Sequence, residues 1–302
     1  MGTTFQLSLD EVHRALDELD PVNLVTAELT GRTTPEPAPV TAAAAVDLHH
    51  AAPCQAVLEN PSSQTRFLVP LEALRALRDA GLAAVAARLF VPPGAATVSV
   101  LGSGLPAELL LRVVARFVLA TTHVAVCAPA GPADATVTRR VVDEFDLSGI
   151  SLAVTPRVDE AAFGANLIVI VDSRATDLRI EWIAKGAVLV NASGWDLPGP
   201  VVGSASRVYV DNLRLIGDNL HRHFIRAHLA PRRTPPASCR DEPRSLSISG
   251  DLGGLLLGGP LARPDPEEVV LVEVLGAGTL SSSLGNQLAR AAQRLGLGEQ
   301  IG

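Results

Sequence analysis

The spacing of hydrophobic residues changes near Pro92 and divides the chain into two parts. Before this point apolar residues recur at helical spacing in two regions, which flank an Ala-, Pro- and Thr-rich stretch at 33–70. Ser8 and Glu11 form the signature of a capping box, and Pro21 suits the first turn of a second helix that Gly31 ends. The predicted elements are helices at 8–19, 21–29 and 71–89, with short strand-like pieces at 55–58 and 66–69.

After Pro92, short β-branched runs alternate with helical stretches. The runs lack polar alternation, which indicates strands covered on both faces in a mostly parallel sheet. Residues 231–246 interrupt this pattern with prolines and arginines and are expected to form an exposed loop. A last amphipathic helix is predicted at 280–295. The candidate strands lie at 96–101, 123–127, 150–154, 166–171, 187–191, 207–211 and 269–274.

These two parts predict an α/β protein with a Rossmann-like, mostly parallel sheet domain and a smaller α+β domain. We expect residues 91–275 to form the sheet domain. Residues 1–90, together with 276–302, are expected to form the smaller one. A length of 302 residues fits two domains of ordinary size.

Composition excludes several classes of function. With 47% hydrophobic residues and a net charge of -7, the chain predicts a folded protein without the basic surface of a nucleic-acid binder. Three widely spaced cysteines form no disulfide framework and fit a reducing cytoplasm. No export signal or membrane-spanning stretch is expected. Lys185 is the only lysine, so any lysine chemistry would depend on it.

A glycine-rich turn follows the first strand of the sheet domain, in the sequence TVSVLGSGLPA. Gly102 permits a tight turn, Gly104 lets the backbone approach a pyrophosphate, and Ala107 lets helix and strand pack closely. Ser103 and Leu105 complete the loop. The motif predicts dinucleotide binding, with an inherited structural turn as the alternative.

The acidic residue that usually anchors the adenosine ribose is missing, because Ala128 follows the next predicted strand. Asp134 is one candidate to replace it. Arg139 and Arg140 would instead accept a 2′-phosphate, or they form a solvated helix face. The choice between NAD and NADP is therefore open.

Several segments together resemble the ornithine cyclodeaminase and mu-crystallin family over nearly the whole chain. The resemblance implies hydride transfer between NAD or NADP and an amino acid, imine or N-substituted amino acid, in a homodimer formed through the first domain. An unpaired strand edge in residues 36–70 also favours that dimer. The segments are the helical pair 7–31, Leu77-Arg78 before Ala86-Ala-Arg88, the Gly102 loop, 181–187, 190–199 and 294–298.

Three further segments look most like the branch that releases 2,3-diaminopropionate for siderophores and other natural products. They are the Gly-Leu of the loop, Val208-Tyr-Val-Asp211 and residues 248–255.

The resemblance also assigns site residues. Arg78 matches the arginine that holds the substrate carboxylate, with packing or an ion pair as its alternative. Asp196 matches the catalytic aspartate that handles the proton of the substrate nitrogen, with turn capping as its alternative. Ser173 and Gly194 fall in turns that line the cofactor in relatives.

The chain departs from the family pattern at polar positions of the substrate site. The family lysine of the first domain and the arginine after Gly31 have no counterparts, and Ser281-Ser-Ser283 replaces a glutamine–aspartate pair. His49 and His50 are candidates to line the substrate wall, or they form a surface turn. Two functions follow: an oxidoreductase, or a degenerate homologue that serves as a dimeric binding or accessory protein.

A metal site is not expected. His221, His223 and His228 lie within two turns of a predicted helix, where their spacing favours a solvated face over a converging ligand set.

Overall fold

The computed structural model describes residues 3–32, 55–60, 65–118, 120–128, 137–172, 177–230, 247–259, 265–276 and 282–301. The strands are β1 (Thr3–Gln6), β2 (Gln55–Asn60), β3 (Thr65–Pro70), β4 (Ala96–Leu101), β5 (Thr121–Cys127), β6 (Ser151–Thr155), β7 (Leu167–Ile170), β8 (Val188–Asn191), β9 (Arg207–Val210), β10 (Ile248–Asp251), β11 (Val270–Glu273) and β12 (Glu299–Ile301). The helices are α1 (Leu9–Leu16), α2 (Pro21–Leu29), α3 (Leu71–Phe90), α4 (Gly104–Phe117), α5 (Arg139–Ser148), α6 (Val158–Ala162), α7 (Gly199–Ser204), α8 (His223–Leu229), α9 (Leu252–Leu256) and α10 (Ser282–Leu295).

The larger sheet has the strand order β10-β9-β11-β8-β7-β4-β5-β6, and its strand pairs are all parallel. The fully buried β7, β8 and β11 carry hydrophobic runs, as strands covered on both faces require, and β8 and β11 each end in one polar residue. β5 pairs with one edge of β4, and β7, which comes later in the chain, pairs with the other edge. The predicted Rossmann-like fold class is confirmed, and β4 lies at the topological switch point where such sheets bind ligands.

The smaller sheet joins both ends of the chain, in the order β12-β1-β3-β2. β1 pairs in parallel with β3 and antiparallel with β12, while β2 and β3 form an antiparallel hairpin. Helix α10 packs beside α1 and β2. The division into domains at residue 91 stays a prediction.

Helix α3 is buried almost all round and packs against both α2 and α4. Its alanines and Gly81 allow this close approach, because a Cβ at Gly81 would lie 2.9 Å from the carbonyl oxygen of Pro21. The N-terminal helices are also tied to the helices of the large sheet by Arg112 of α4, which donates to Asp17 after α1 and to Glu144 of α5. Helix α3 therefore fixes the position of α2 relative to α4 and the large sheet.

The predicted elements are largely confirmed, including the capping box between Ser8 and Glu11 and the full extent of α2. Three strands, β1, β10 and β12, have no counterpart among the sequence predictions, because none of them carries the buried hydrophobic run that marks the strands of the sheet interior. The loop expected at 231–246 lies outside the described residues. In the part of the chain that is described, no helix has the length and hydrophobicity needed to cross a membrane.

We expect Gly81→Ala to lower the free energy of unfolding by about 1–3 kcal/mol, because the added methyl group overlaps α2. Gly203→Ala is the matched control. A Cβ at Gly203 in α7 meets no heavy atom within 4 Å, so this change should be neutral or stabilise by about 0.5 kcal/mol. Urea unfolding of both variants measures the difference, and equal effects would contradict the close α2–α3 contact.

Candidate active site

The glycine-rich loop joins β4 to α4 at the switch point of the large sheet. Gly102 has φ +139°, and a Cβ there would lie 2.7 Å from Val171 and 2.8 Å from Asp172. Gly104 has φ +74°, and a Cβ there would meet nothing within 4 Å. The first glycine thus permits tight packing against the end of β7, while the second leaves open space before the helix amides. This surface suits the approach of a phosphate group.

The other residues of the motif support the same geometry. Ser103 is the N-cap residue of α4, and its side chain makes no capping hydrogen bond. Ala107 is fully buried and Leu105 is half-buried against the main core. A larger residue at position 107 would separate α4 from the sheet.

The ribose end of the site lacks an acidic side chain on the strand itself. β5 ends at Cys127, and the next residue, Ala128, is buried. Arg140 at the start of α5 donates to Asp10 at 3.0 Å, an exposed ion pair that favours the solvated-face interpretation. Asp134 lies outside the described residues, so the choice between NAD and NADP stays open.

Arg78 lies on the buried side of α3, and its guanidinium group points into the protein interior. Nη2 donates to Asp211 Oδ2 at 3.1 Å, and Nη1 donates to the carbonyl oxygen of Gly276 at 3.2 Å. Nε lies 3.7 Å from Glu28 Oε1. A Cβ at Gly276 would come within 2.7 Å of this guanidinium, so the contact requires glycine. Nε has no hydrogen-bond partner among the described residues. The carboxylate-binding role of Arg78 stays a prediction, and it competes with the internal ion pair to Asp211.

Asp196 also has partners within the protein. Its carboxylate accepts from Arg222 Nε at 3.1 Å and from the backbone amide of His223, the first residue of α8. The buried Arg222 in turn donates to Glu273 Oε2 at 2.6 Å and to the Trp195 carbonyl oxygen. Asp196 therefore holds the start of α8, and with a side-chain exposure of 28% it also reaches the surface.

The contacts of Arg78 and those of Arg222 meet at the carboxyl edge of the large sheet. Glu273 ends β11 and Asp211 follows the neighbouring β9, where the Asp211 amide donates to the Glu273 carbonyl oxygen. Asn191, at the end of β8, donates to Glu273 Oε2 at 2.9 Å. Burial raises the pKa of Glu273 to about 7, while Arg222 and Asn191 oppose that rise. A continuous polar network thus lies below the predicted site.

Of the remaining residues that the sequence singled out, the structure describes Gly194 and Lys185. Gly194 has φ +76° in the turn after β8, where Ser193 Oγ donates to Asn191 Oδ1 at 2.7 Å. Ser173, His49 and His50 lie outside the described residues. Lys185 is exposed and pairs with Glu267.

The histidines near α8 have separate partners. His223 Nδ1 contacts Arg226, and His228 Nδ1 accepts from the amide of Ile248. Among the described residues, no cluster of potential metal ligands occurs.

A cavity of about 80 Å³ opens beside the glycine-rich loop. Helix α3 lines one wall with Glu72, Arg75 and Asp79, and the opposite wall includes Pro106 of α4 and Val171 after β7. Asp79 Oδ1 is buried and has no hydrogen-bond partner in the described structure. Burial raises the pKa of Asp79 to about 7, against the attraction of Arg78 and Arg75. Asp79 is not among the site residues predicted from the sequence, although an acidic residue within an apolar helix is a visible signal.

Comparison with known proteins agrees with this architecture. A family model described as ornithine cyclodeaminase/mu-crystallin family matches residues 50–202. The chain therefore belongs to the ornithine cyclodeaminase/mu-crystallin family. An ornithine cyclodeaminase of Brucella suis is 24% identical over 243 residues, which cover 80% of this chain. The match spans only 63% of the length of that curated relative.

Solved structures share the fold over the whole chain. The structure of CmnK is 20% identical with a TM-score of 0.69, and the match covers 100% of this chain and 99% of that one. The Δ1-pyrroline-2-carboxylate reductase of Thermococcus litoralis, solved in complex with NADH and L-proline, is 14% identical with a TM-score of 0.66. That match covers 98% of this chain and 100% of the reductase.

We expect Arg78→Met to lower the free energy of unfolding by about 3 kcal/mol, because it leaves the buried Asp211 without its countercharge. Arg88→Met is the matched control, since Arg88 is an exposed arginine on the same helix. Chemical denaturation compares the two variants. If Arg78→Met unfolds like the control, the ion pair does not hold α3 to the sheet.

Proposed function

We propose that this protein is an NAD(P)-dependent oxidoreductase that acts on an amino acid, its imine or an N-substituted amino acid. The observation that carries the proposal is the GSGLPA loop, which sits at the switch point of a parallel sheet with open space before the amides of α4. The membership of the chain in the ornithine cyclodeaminase/mu-crystallin family supports it. The fold shared with a reductase solved with NADH and L-proline points the same way.

The residues present fit a dinucleotide at its phosphates. Gly102 and Gly104 shape the turn, Ser103 and Leu105 flank it, and Ala107 brings the helix close. Gly194 lies in the turn that follows β8 at the same edge. Ser173, the other residue predicted to line the cofactor, lies outside the described residues. A bound nicotinamide would supply the hydride acceptor or donor. The protein would bind both reactants at this edge and hold their orientation.

In this proposal Asp196 handles the proton of the substrate nitrogen, because its partly exposed carboxylate lies at the carboxyl edge of the sheet. Arg222 and the His223 amide hold that carboxylate in one orientation. A role in natural-product biosynthesis of the 2,3-diaminopropionate kind is the finer proposal, and it rests on the loop, on 208–211 and on 248–255. A cytoplasmic homodimer formed through the first domain completes it.

A non-redox binding or accessory protein is the second candidate function. One observation favours it: Arg78 and Asp196, the two residues matched to family roles, both have internal ion-pair partners. The missing family lysine points the same way. Calorimetric titration with NADH and with NADPH separates the candidates, since a protein that binds neither cannot perform hydride transfer.

We expect Ser103→Asp to weaken NADH or NADPH binding about tenfold or more. A carboxylate at this position repels the phosphates, while aspartate remains a good N-cap for α4. Ser103→Asn is the matched control, because it has nearly the same shape and no charge, and its affinity should stay close to that of the wild type. Equal affinity in the aspartate variant would place the dinucleotide elsewhere.

We expect Asp196→Asn to reduce turnover by roughly 100-fold while the affinity for NADH changes little, because asparagine cannot accept a proton. The fold should tolerate the change. Arg222 keeps its pair with Glu273, and the asparagine oxygen still accepts from the His223 amide.

The measurement is NADH consumption with 2-oxo acids and ammonia or methylamine, in wild type and variant. Full turnover in the variant would show that Asp196 only holds the start of α8.

A further inference from the structure

The cavity beside the glycine-rich loop has one polar wall and one apolar wall. The polar wall is a single face of α3, where Glu72, Arg75 and Asp79 follow at helical spacing. The opposite wall is formed by Pro106, Leu110 and Val171, among other apolar residues. Charges therefore act from one side only, which would orient a ligand that carries charge.

We propose that this α3 wall binds a small zwitterionic α-amino acid, with Asp79 holding its ammonium group and Arg75 holding its carboxylate. The inference rests on the proposed function, which places an amino acid or imine at this edge of the sheet. It goes beyond that function by assigning two residues, Arg75 and Asp79, to the binding of the amino acid, a step separate from the proton transfer assigned to Asp196.

Arg75 is available for this role where Arg78 is not. The guanidinium of Arg78 is engaged by Asp211 and by the Gly276 carbonyl oxygen. Arg75, one turn earlier on the same helix, is exposed at the cavity and makes no hydrogen bond or ion pair with the described residues. Its planar fork matches a carboxylate.

Asp79 has the burial and the vacant acceptor that an ammonium group requires. Oδ1 points into the protein, 3.8 Å from a guanidinium nitrogen of Arg78, and has no hydrogen-bond partner among the described residues. The side chain keeps an exposure of 14% and lines the cavity. A ligand ammonium at this exposed part of the carboxylate would supply a countercharge and N–H donors. Burial also raises the pKa of Asp79, which a bound cation would lower again.

The size of the cavity limits the ligand. Its volume of about 80 Å³ is roughly half that of the engineered cavity of about 150 Å³ that holds benzene. An amino acid as small as L-alanine, which has as many non-hydrogen atoms as benzene, would therefore be only partly enclosed, and its remainder would lie at the opening beside the exposed Glu72 and Arg75.

The experiment is isothermal titration calorimetry with three probes, L-alanine, propionate and ethylamine, with and without saturating NADH. We expect L-alanine to bind at millimolar concentration, about tenfold more tightly than either half-ligand. Asp79→Asn should weaken L-alanine binding about tenfold and leave propionate unchanged. Arg75→Gln should weaken L-alanine and propionate about tenfold and leave ethylamine unchanged.

Arg88→Gln is the control, because it removes an exposed arginine of the same helix that does not line the cavity. The NADH affinity of each variant checks that the fold is intact. Absence of L-alanine binding, or binding that neither variant weakens, overturns the inference even where NADH binds. Binding of L-alanine that depends on Asp79 in a protein that fails to bind NADH would support the inference and contradict the proposed hydride transfer.

Discussion

Two carboxylates at the buried edge of the sheet, Asp211 and Glu273, govern how the rest of the protein packs against it. Both are fully buried, and a buried charge without a partner is costly. Each is neutralised by an arginine from a helix, Arg78 of α3 for Asp211 and Arg222, just before α8, for Glu273. Replacing such a pair with hydrophobic residues is often neutral, whereas removing only one partner strongly destabilises the protein. Here they attach two helices to the edge where ligands of this fold bind.

The attachment of α3 has a direct consequence for the cavity. Because Arg78 is held by Asp211 and Gly276, the rotation of the helix about its axis is fixed. Arg75 and Asp79, which lie about one turn apart, then face the glycine-rich loop. A rotation of α3 about its axis would break the pair between Arg78 and Asp211 and turn Arg75 and Asp79 away from the cavity. The structural arginine therefore orients the residues that we propose for ligand binding.

Periodicity along the sequence predicted α3, the parallel strands and the glycine-rich turn, because those signals are local. The ion pairs were not predictable in this way, since Arg78 and Asp211 are separated by 133 residues. The resemblance singled out Arg78 and Asp196 but not their partners. The strands β1 and β12 were missed because they are stable only through pairing with each other and with β3. Asp79 was missed because its role depends on the cavity.

Arginine suits the two positions that hold these carboxylates better than lysine would. The guanidinium of Arg78 donates to Asp211 and to a backbone carbonyl in different directions, and that of Arg222 donates to three groups. A lysine ammonium is a compact point charge and would not span such partners. The charged residues that line the cavity are Glu72, Arg75 and Asp79. Asp79 is the group beside the cavity whose pKa lies near neutral pH.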